Sequence, residues 1–247
     1  MAERSTKPLA ETWFSVEAVA PDLLRFREHH INSYAVGDFW LLRGRDRDLL
    51  IDTGTGIVSP VPLVTAIAGK PVTAVALNCY YDHAGGWAGF ADRVCHPLDA
   101  TDLADPATED SSVGTYLNRE TLWSLPWAGY RVEDFAMTPA EPTGLVEDGH
   151  RFDLGGRVLE ALHVPGRSPG GLAIWDPTGG NLFTSDMLYD GDHGPSWPPD
   201  DPPTYCRSLR RMRALPVQRV CPGHYGLMTR QRMLEVIDLQ CADLEAA

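Results

Sequence analysis

The chain has no C-x-x-C pair. Its five cysteines, Cys79, Cys95, Cys206, Cys221 and Cys241, are odd in number and irregularly spaced. That argues against a disulfide framework or a thiolate zinc site, and for reduced thiols. No apolar run reaches the length of about 20 residues that spans a bilayer. The start, M-A-E-R-S-T-K-P-L-A, lacks the apolar centre of a signal peptide. Positive charge is scarce: 21 Lys and Arg stand against 34 Asp and Glu, a net charge of −13. Such a surface repels nucleic acid and anionic membranes. The expectation is a cytoplasmic protein with a small-molecule substrate and neither nucleic acid nor membrane as partner. A homo-oligomer is left open.

What is present is an ordinary globular composition, 43% hydrophobic and 22% charged over 247 residues. It suits one domain over residues 1–247. Short β-prone runs at 23–26, 33–36, 39–43 and 49–52, separated by turn residues, predict a β-meander. A helix is expected at 61–68. The next strand, 72–77, leads into L-N-C-Y-Y-D-H-A-G-G (77–86). Helical spacing recurs at 88–91, 99–104, 205–215 and 230–244. Further strands are expected at 151–154, 158–163, 172–175, 181–184 and 219–221. This order predicts an α/β (α+β) chain whose two sheets face each other with helices outside. Two stretches read as insertions. Residues 105–139 carry Tyr116, Leu117, Trp123, Trp127, Tyr130 and Phe135, as a lid or as packing. Residues 190–203, D-G-D-H-G-P-S-W-P-P-D-D-P-P, form a stiff loop.

Five segments each place polar residues after a strand: I-D-T-G-T-G (51–56), N-C-Y-Y-D-H (78–83), H-V-P-G-R-S-P-G-G (163–171), F-T-S-D-M-L-Y-D-G (183–191) and V-C-P-G-H-Y-G (220–226). Their order resembles the metallo-β-lactamase superfamily, and the resemblance runs from about residue 23 to the end. It implies a four-layer αββα sandwich. It also places the family's H-x-H-x-D-H on Asn78, Tyr80, Asp82 and His83. The P-G-H histidine falls on Arg167, the bridging aspartate on Asp186 and the last histidine on His224. In the family, the first two histidines and the P-G-H histidine hold one metal. The aspartate and histidine of D-H, with the last histidine, hold the other.

All three losses therefore fall on one metal. The expected metal ligands are Asp82, His83, Asp186 and His224. Two imidazoles with carboxylates suit one divalent ion, Zn²⁺ first, with Fe²⁺ or Mn²⁺ as alternatives. A metal-free polar site is the competing reading. Arg167 has no lone pair for a metal and keeps its charge, so it can hold a carboxylate or an oxyanion instead. The catalytic candidates are Asp82, Tyr80, Arg167 and Tyr189. Some lactone-hydrolysing members of the resembled family carry a tyrosine at the Tyr189 position. Asn78, Asp52, His163 and His193 are assigned to substrate contact or to support behind the ligands. Among these, His163 is expected as a packed strand end and His193 as a surface residue. Cys79 is expected to point into the core.

Three functions remain in view. The first is a mononuclear metal-dependent hydrolase of a small ester, lactone, thioester or amide. The second is a non-hydrolytic metal enzyme: a lyase, an isomerase or an Fe(II) oxidative enzyme of specialised metabolism. The third is a non-catalytic ligand-binding member of the fold. Survival of the Asp82, His83, Asp186 and His224 set leans the choice towards an enzyme.

Overall fold

The computed structural model describes residues 7–106, 113–193 and 197–246, without the side chains of residues 114 and 115. Parts of both expected insertions, 107–112 and 194–196, lie outside the described residues.

The first half builds a seven-stranded sheet. β1 (Phe14–Ala20), β2 (Leu23–Glu28), β3 (Phe39–Leu42) and β4 (Asp48–Ile51) form the antiparallel meander. After helix α1 (Val61–Ala68), the strands β5 (Val72–Val75), β6 (Asp92–Cys95) and β7 (Gly144–Leu145) join in parallel. Short helices α2 (Tyr81–Ala84), α3 (Ala100–Ala104) and α4 (Val113–Tyr116) lie in the connections. The second half gives β8 (Arg151–Asp153), β9 (Val158–His163), β10 (Leu172–Asp176) and β11 (Asn181–Ser185). Helix α5 (Pro202–Arg213), β12 (Arg219–Pro222), β13 (Met228–Thr229) and helix α6 (Arg230–Ala246) follow. The second sheet runs β13-β12-β11-β10-β9-β8.

Side-chain alternation shows why the sheets stack. Successive residues on a strand face opposite sides. On β3, Phe39 and Leu41 enter one core while Trp40 and Leu42 enter another. On β10, Leu172 and Ile174 join Trp40 and Leu42, whereas Ala173 and Trp175 face α5 and α6. A central core therefore lies between the sheets, and each outer face carries its own helices. This is the expected αββα sandwich.

Three local expectations need correction. The helix expected at 88–91 is only a single 3-10 turn over Trp87–Gly89, after which Phe90 is extended. Residues 33–36 do not form a strand. Ala35 N–H donates to Asn32 O in a turn, and Ala35 O accepts the Tyr81 hydroxyl at 2.8 Å. Backbone groups that a ladder would use are spent on the site's own loops. β1 and β6, not anticipated, are half-exposed strands with weak apolar signals.

A buried carboxylate ties the meander to the loop after β4. Glu28 accepts the Trp13 indole N–H at 2.6 Å, the Thr55 N–H at 2.7 Å and the Thr55 hydroxyl at 2.7 Å. Burial pushes its pKa up to about 7 against these donors. Its folded pKa lies above its unfolded one, so its contribution to stability is whole below about pH 4.5 and is lost as pH rises to 7. Relative to Glu28→Gln, the wild type is expected to lose on the order of 3 kcal/mol between pH 5 and pH 8. Urea midpoints at the two pH values check this.

Candidate metal centre

The site sits where strands of both sheets end. β4 delivers Asp52, β5 leads to Asn78–His83, β11 ends before Asp186, and β12 leads to His224. Asp52 and Ser185 have positive φ, 60° and 46°, as does Tyr225 at 60°. Such conformations cost non-glycine residues of order 1–3 kcal/mol each and gather at functional sites. Two glycines permit close approach. A Cβ on Gly223 would stand 2.3 Å from the His83 ring, and one on Gly37 would meet Asp82 O at 2.5 Å.

Four donors converge there. His83 Nε2 and His224 Nε2 are 3.3 Å apart. Asp82 Oδ2 is 3.5 Å from the first and 3.4 Å from the second. Ligands at about 2.0–2.1 Å around a tetrahedral ion stand about 3.3 Å apart. The Asp82, His83 and His224 atoms thus match one face of such a shell. Asp186 Oδ1 lies at 3.1 Å and 2.9 Å from the two nitrogens. Burial opposes a proton on His224, but hydrogen bonds to Asp186 and Asp82 raise its pKa to about 9. Burial likewise opposes charge on His83, yet Asp186, Asp82 and Asp52 raise it well above the usual range. Burial pushes Asp186 up, but the imidazoles hold it well below the usual carboxylate range. A spot this negative and this rich in nitrogen and oxygen donors suits a divalent ion.

Asp52 stands behind His83. Its Oδ2 is 3.0 Å from His83 Nδ1 and accepts the Ser185 hydroxyl at 2.7 Å, while Oδ1 accepts the Leu77 N–H at 2.9 Å. A carboxylate so placed fixes ring orientation and raises ligand basicity. Asp52→Asn keeps the tolerance for positive φ but removes the charge. It is expected to weaken metal affinity by roughly tenfold to a hundredfold, measured by chelator competition.

The three substituted positions are interlocked. Asn78 Nδ2 donates to Ser185 Oγ at 3.1 Å and Asp186 Oδ2 at 3.2 Å. The Tyr80 hydroxyl donates to Arg167 O. The Arg167 loop is also anchored by buried Asp99, which accepts the Ser168 hydroxyl at 2.8 Å and Gly170 N–H at 2.7 Å. Burial works against the Arg167 charge, but Asp186 and the tyrosines around it raise its pKa further. Tyr80 and Tyr189 stay protonated, because burial raises both phenols.

A cavity of about 40 Å³ covers the donors, lined by Tyr80, Arg167, Tyr189 and His193 among others. Tyr80 and Arg167 also border an outer groove of about 440 Å³ between residues 165–169 and 198–201. His163 ends β9 as a packed strand end, as expected, stacked on His96 with ring centroids 4.1 Å apart and away from the lining of both cavities. One sequence expectation changes here. His193 is no surface residue: it lines the inner cavity, because Tyr189 at 4.3 Å and Trp197 at 4.6 Å pack against its ring. Cys79 is buried in the core as expected. From the 105–139 stretch, Tyr116 reaches the cavity, Leu117 packs in the core, and Trp123 and Trp127 stay exposed. Tyr34, without any motif context, and Tyr225, next to His224 in the 220–226 segment but not singled out there, line the cavity as well.

The model of the metallo-beta-lactamase superfamily matches residues 34–224. The chain belongs to this superfamily. Among its relatives, the acyl-coenzyme A thioesterase MBLAC2 of Gallus gallus is 29% identical over 235 residues, covering 90% of this chain and 84% of that one. A solved metallo-beta-lactamase from Pontibacter korlensis superposes with a TM-score of 0.69 at 16% identity, covering 95% of this chain and all of the other. TTHA1623, solved in a di-iron-bound form, has a TM-score of 0.60 at 26% identity over 81% of this chain and 93% of its own. Superfamily membership and the thioesterase relative support hydrolytic chemistry. The metallo-beta-lactamase fold also implies divalent-metal binding, for which the Asp82, His83 and His224 group is the candidate. No helix among the described residues is long and apolar enough to cross a membrane.

Proposed function

We propose that the protein is a metal-dependent hydrolase that works with one divalent ion and cleaves a small acyl thioester. The observation that carries the reading is the donor face of Asp82, His83 and His224, with edges of 3.3–3.5 Å, next to slots filled by Asn78, Tyr80 and Arg167. The likeness to an acyl-coenzyme A thioesterase over 90% of the chain supports a thioester as the bond broken.

Asp82, His83 and His224 would hold the ion, with Asp186 beside them. A bound divalent ion supplies Lewis acidity and lowers the pKa of water towards neutrality. Asp82 or Asp186 takes the proton from the attacking water. Arg167, cationic and buried, stabilises the oxyanion that forms as the carbonyl carbon becomes tetrahedral; its collapse breaks the C–S bond, and the thiolate leaves and takes up the proton held by the aspartate. Tyr80 holds the Arg167 loop through its carbonyl and so aims that charge. Tyr189, kept protonated, offers a further hydrogen-bond donor on the cavity wall. The outer groove has room for the thiol arm of the substrate.

The test pairs elemental analysis with thiol release from a panel of thioesters. One equivalent of metal per chain and chelator-sensitive release are expected. Two equivalents overturn the single-ion reading. A fully loaded protein that releases no thiol overturns the hydrolase. Iron- and substrate-dependent oxygen uptake would select an oxidative enzyme instead. Zinc is the expected ion, and iron is the alternative that the di-iron relative supports.

A further inference from the structure

Arg167 sits in a loop that does little to hold its own shape. The neck is closed by Val164 N–H to Gly171 O at 2.8 Å. Inside it, the bonds from Gly166 N–H and Gly171 N–H to Ser168 O are long, at 3.4 and 3.3 Å. Good N–H···O bonds fall between about 2.7 and 3.2 Å. The shorter bonds leave the loop. Pro165 O accepts the Ser208 hydroxyl at 2.7 Å, and His163 Nε2 lies 2.9 Å from Pro169 O. The Tyr80 hydroxyl donates to Arg167 O. Asp99 alone grips two loop residues: one oxygen accepts the Ser168 hydroxyl at 2.8 Å, the other Gly170 N–H at 2.7 Å.

The Asp99 carboxylate does nothing for its own helix. It stands at the N-cap of α3, where an aspartate ordinarily accepts a backbone N–H of the first turn. Among the described residues it makes no such bond. Both oxygens turn instead to residues 69 and 71 positions away. The side chain is also buried. Burial pushes its pKa up to about 6, although the Ser168 and Gly170 bonds pull it down. Its folded pKa exceeds the unfolded one, so the stability it lends is whole below about pH 3.8 and is lost as pH rises through 6. At neutral pH, burial of the ionised form works against the fold. What the carboxylate does secure is the backbone immediately after Arg167.

We propose that Asp99 is a positioning residue: through Ser168 and Gly170 it holds the Arg167 guanidinium where the oxyanion forms. This rests on the role given to Arg167 above. A charge that must meet a developing oxyanion loses effect when its loop shifts, and a misplacement of about 1 Å costs up to about 10²-fold.

The experiment is a double-mutant cycle on the metal-loaded enzyme, with acetyl and octanoyl thioesters of coenzyme A and N-acetylcysteamine. Asp99→Ala is expected to lower kcat by about 10–10²-fold, with KM and metal content close to wild type. Ser168→Ala leaves the Gly170 bond in place and should lower kcat less. Asp99→Asn keeps an acceptor for Gly170 N–H and offers its amide to Ser168 Oγ, so it should recover most of the loss. In an Arg167→Met background, Asp99→Ala should cost less than about twofold, because the group it positions is gone. Equal losses in both backgrounds overturn the proposal, as does an unchanged kcat in Asp99→Ala.

Proton exchange reads the same point without turnover. Arg167 Nε and Arg43 Nε are both shielded from solvent. In nitrogen-15 spectra, Asp99→Ala should speed exchange of Arg167 Nε–H by at least about tenfold and leave Arg43 Nε–H unchanged. Ser168→Ala gives the same reading if Asp99→Ala fails to fold. Equal acceleration at both arginines reports general loosening, and no acceleration reports a loop held by other means. Either result overturns the proposal. If no thioester is turned over, the hydrolase reading fails on its own, and this exchange decides whether Asp99 positions Arg167.

Discussion

His224→Ala is expected to lower the metal content from about one equivalent per chain to below about 0.1 and to reduce turnover by at least about 10³-fold. The substitution removes one corner of the 3.3–3.5 Å donor face. It leaves one imidazole and two carboxylates crowded at one point, with less positive charge to offset them. The fold has little stake in the residue. Beyond the donor cluster, the His224 ring makes one long polar contact among the described residues, Nδ1 to Ser33 O at 3.4 Å, and meets the Tyr189 ring edge-on and the Tyr225 ring at a tilt. Lost activity with an unchanged far-ultraviolet spectrum therefore reports on the site. Elemental mass spectrometry of protein purified without chelator makes the measurement. Retained metal would remove His224 from the ligand set. Retained activity without metal would favour the metal-free reading built on Tyr80 and Arg167.

The donor cluster was legible in the sequence because each of its members follows a strand end and sits in a short motif. Asp82-His83 and the P-G-H turn at His224 carry their meaning locally. The support around them does not. Ser185 touches Asp52 from 133 positions away, and Asp99 holds the Arg167 loop from about 70 positions away. Gln240 reaches His193 across 47 residues, from a helix with no motif. No local pattern encodes such pairs, since they depend on how two sheets and α6 pack. His193 itself stands in a proline-rich acidic stretch whose composition suggests a surface loop. Only the contacts to Tyr189 and Trp197 turn it inward. The failed strand at 33–36 has the same cause. Its apolar residues are buried, but against the site's loops and not in a ladder.

Arg167→Met is expected to lower kcat by about 10²–10³-fold while leaving the metal content at one equivalent. That magnitude is typical for removing one donor to a developing oxyanion. The prediction separates two roles that the position can play. As a holder of its loop, Arg167 acts through its backbone: its carbonyl takes the Tyr80 hydroxyl, and the neighbouring Ser168 and Gly170 bind Asp99. These contacts survive the loss of the guanidinium. As a fixed cation beside Asp186, it acts through the side chain alone, and methionine removes that while filling a similar volume. A kcat close to wild type would therefore leave Arg167 a loop residue and shift the stabilising role to Tyr189. The reverse experiment uses the same logic. Asn78→His, Tyr80→His and Arg167→His combined remove the repelling charge and supply three imidazoles at the positions where the superfamily holds its other ion. This triple variant is expected to take up a second equivalent of zinc, which Arg167→Met alone does not. If it stays at one equivalent, the exchange at Arg167 is not what limits the site to a single ion.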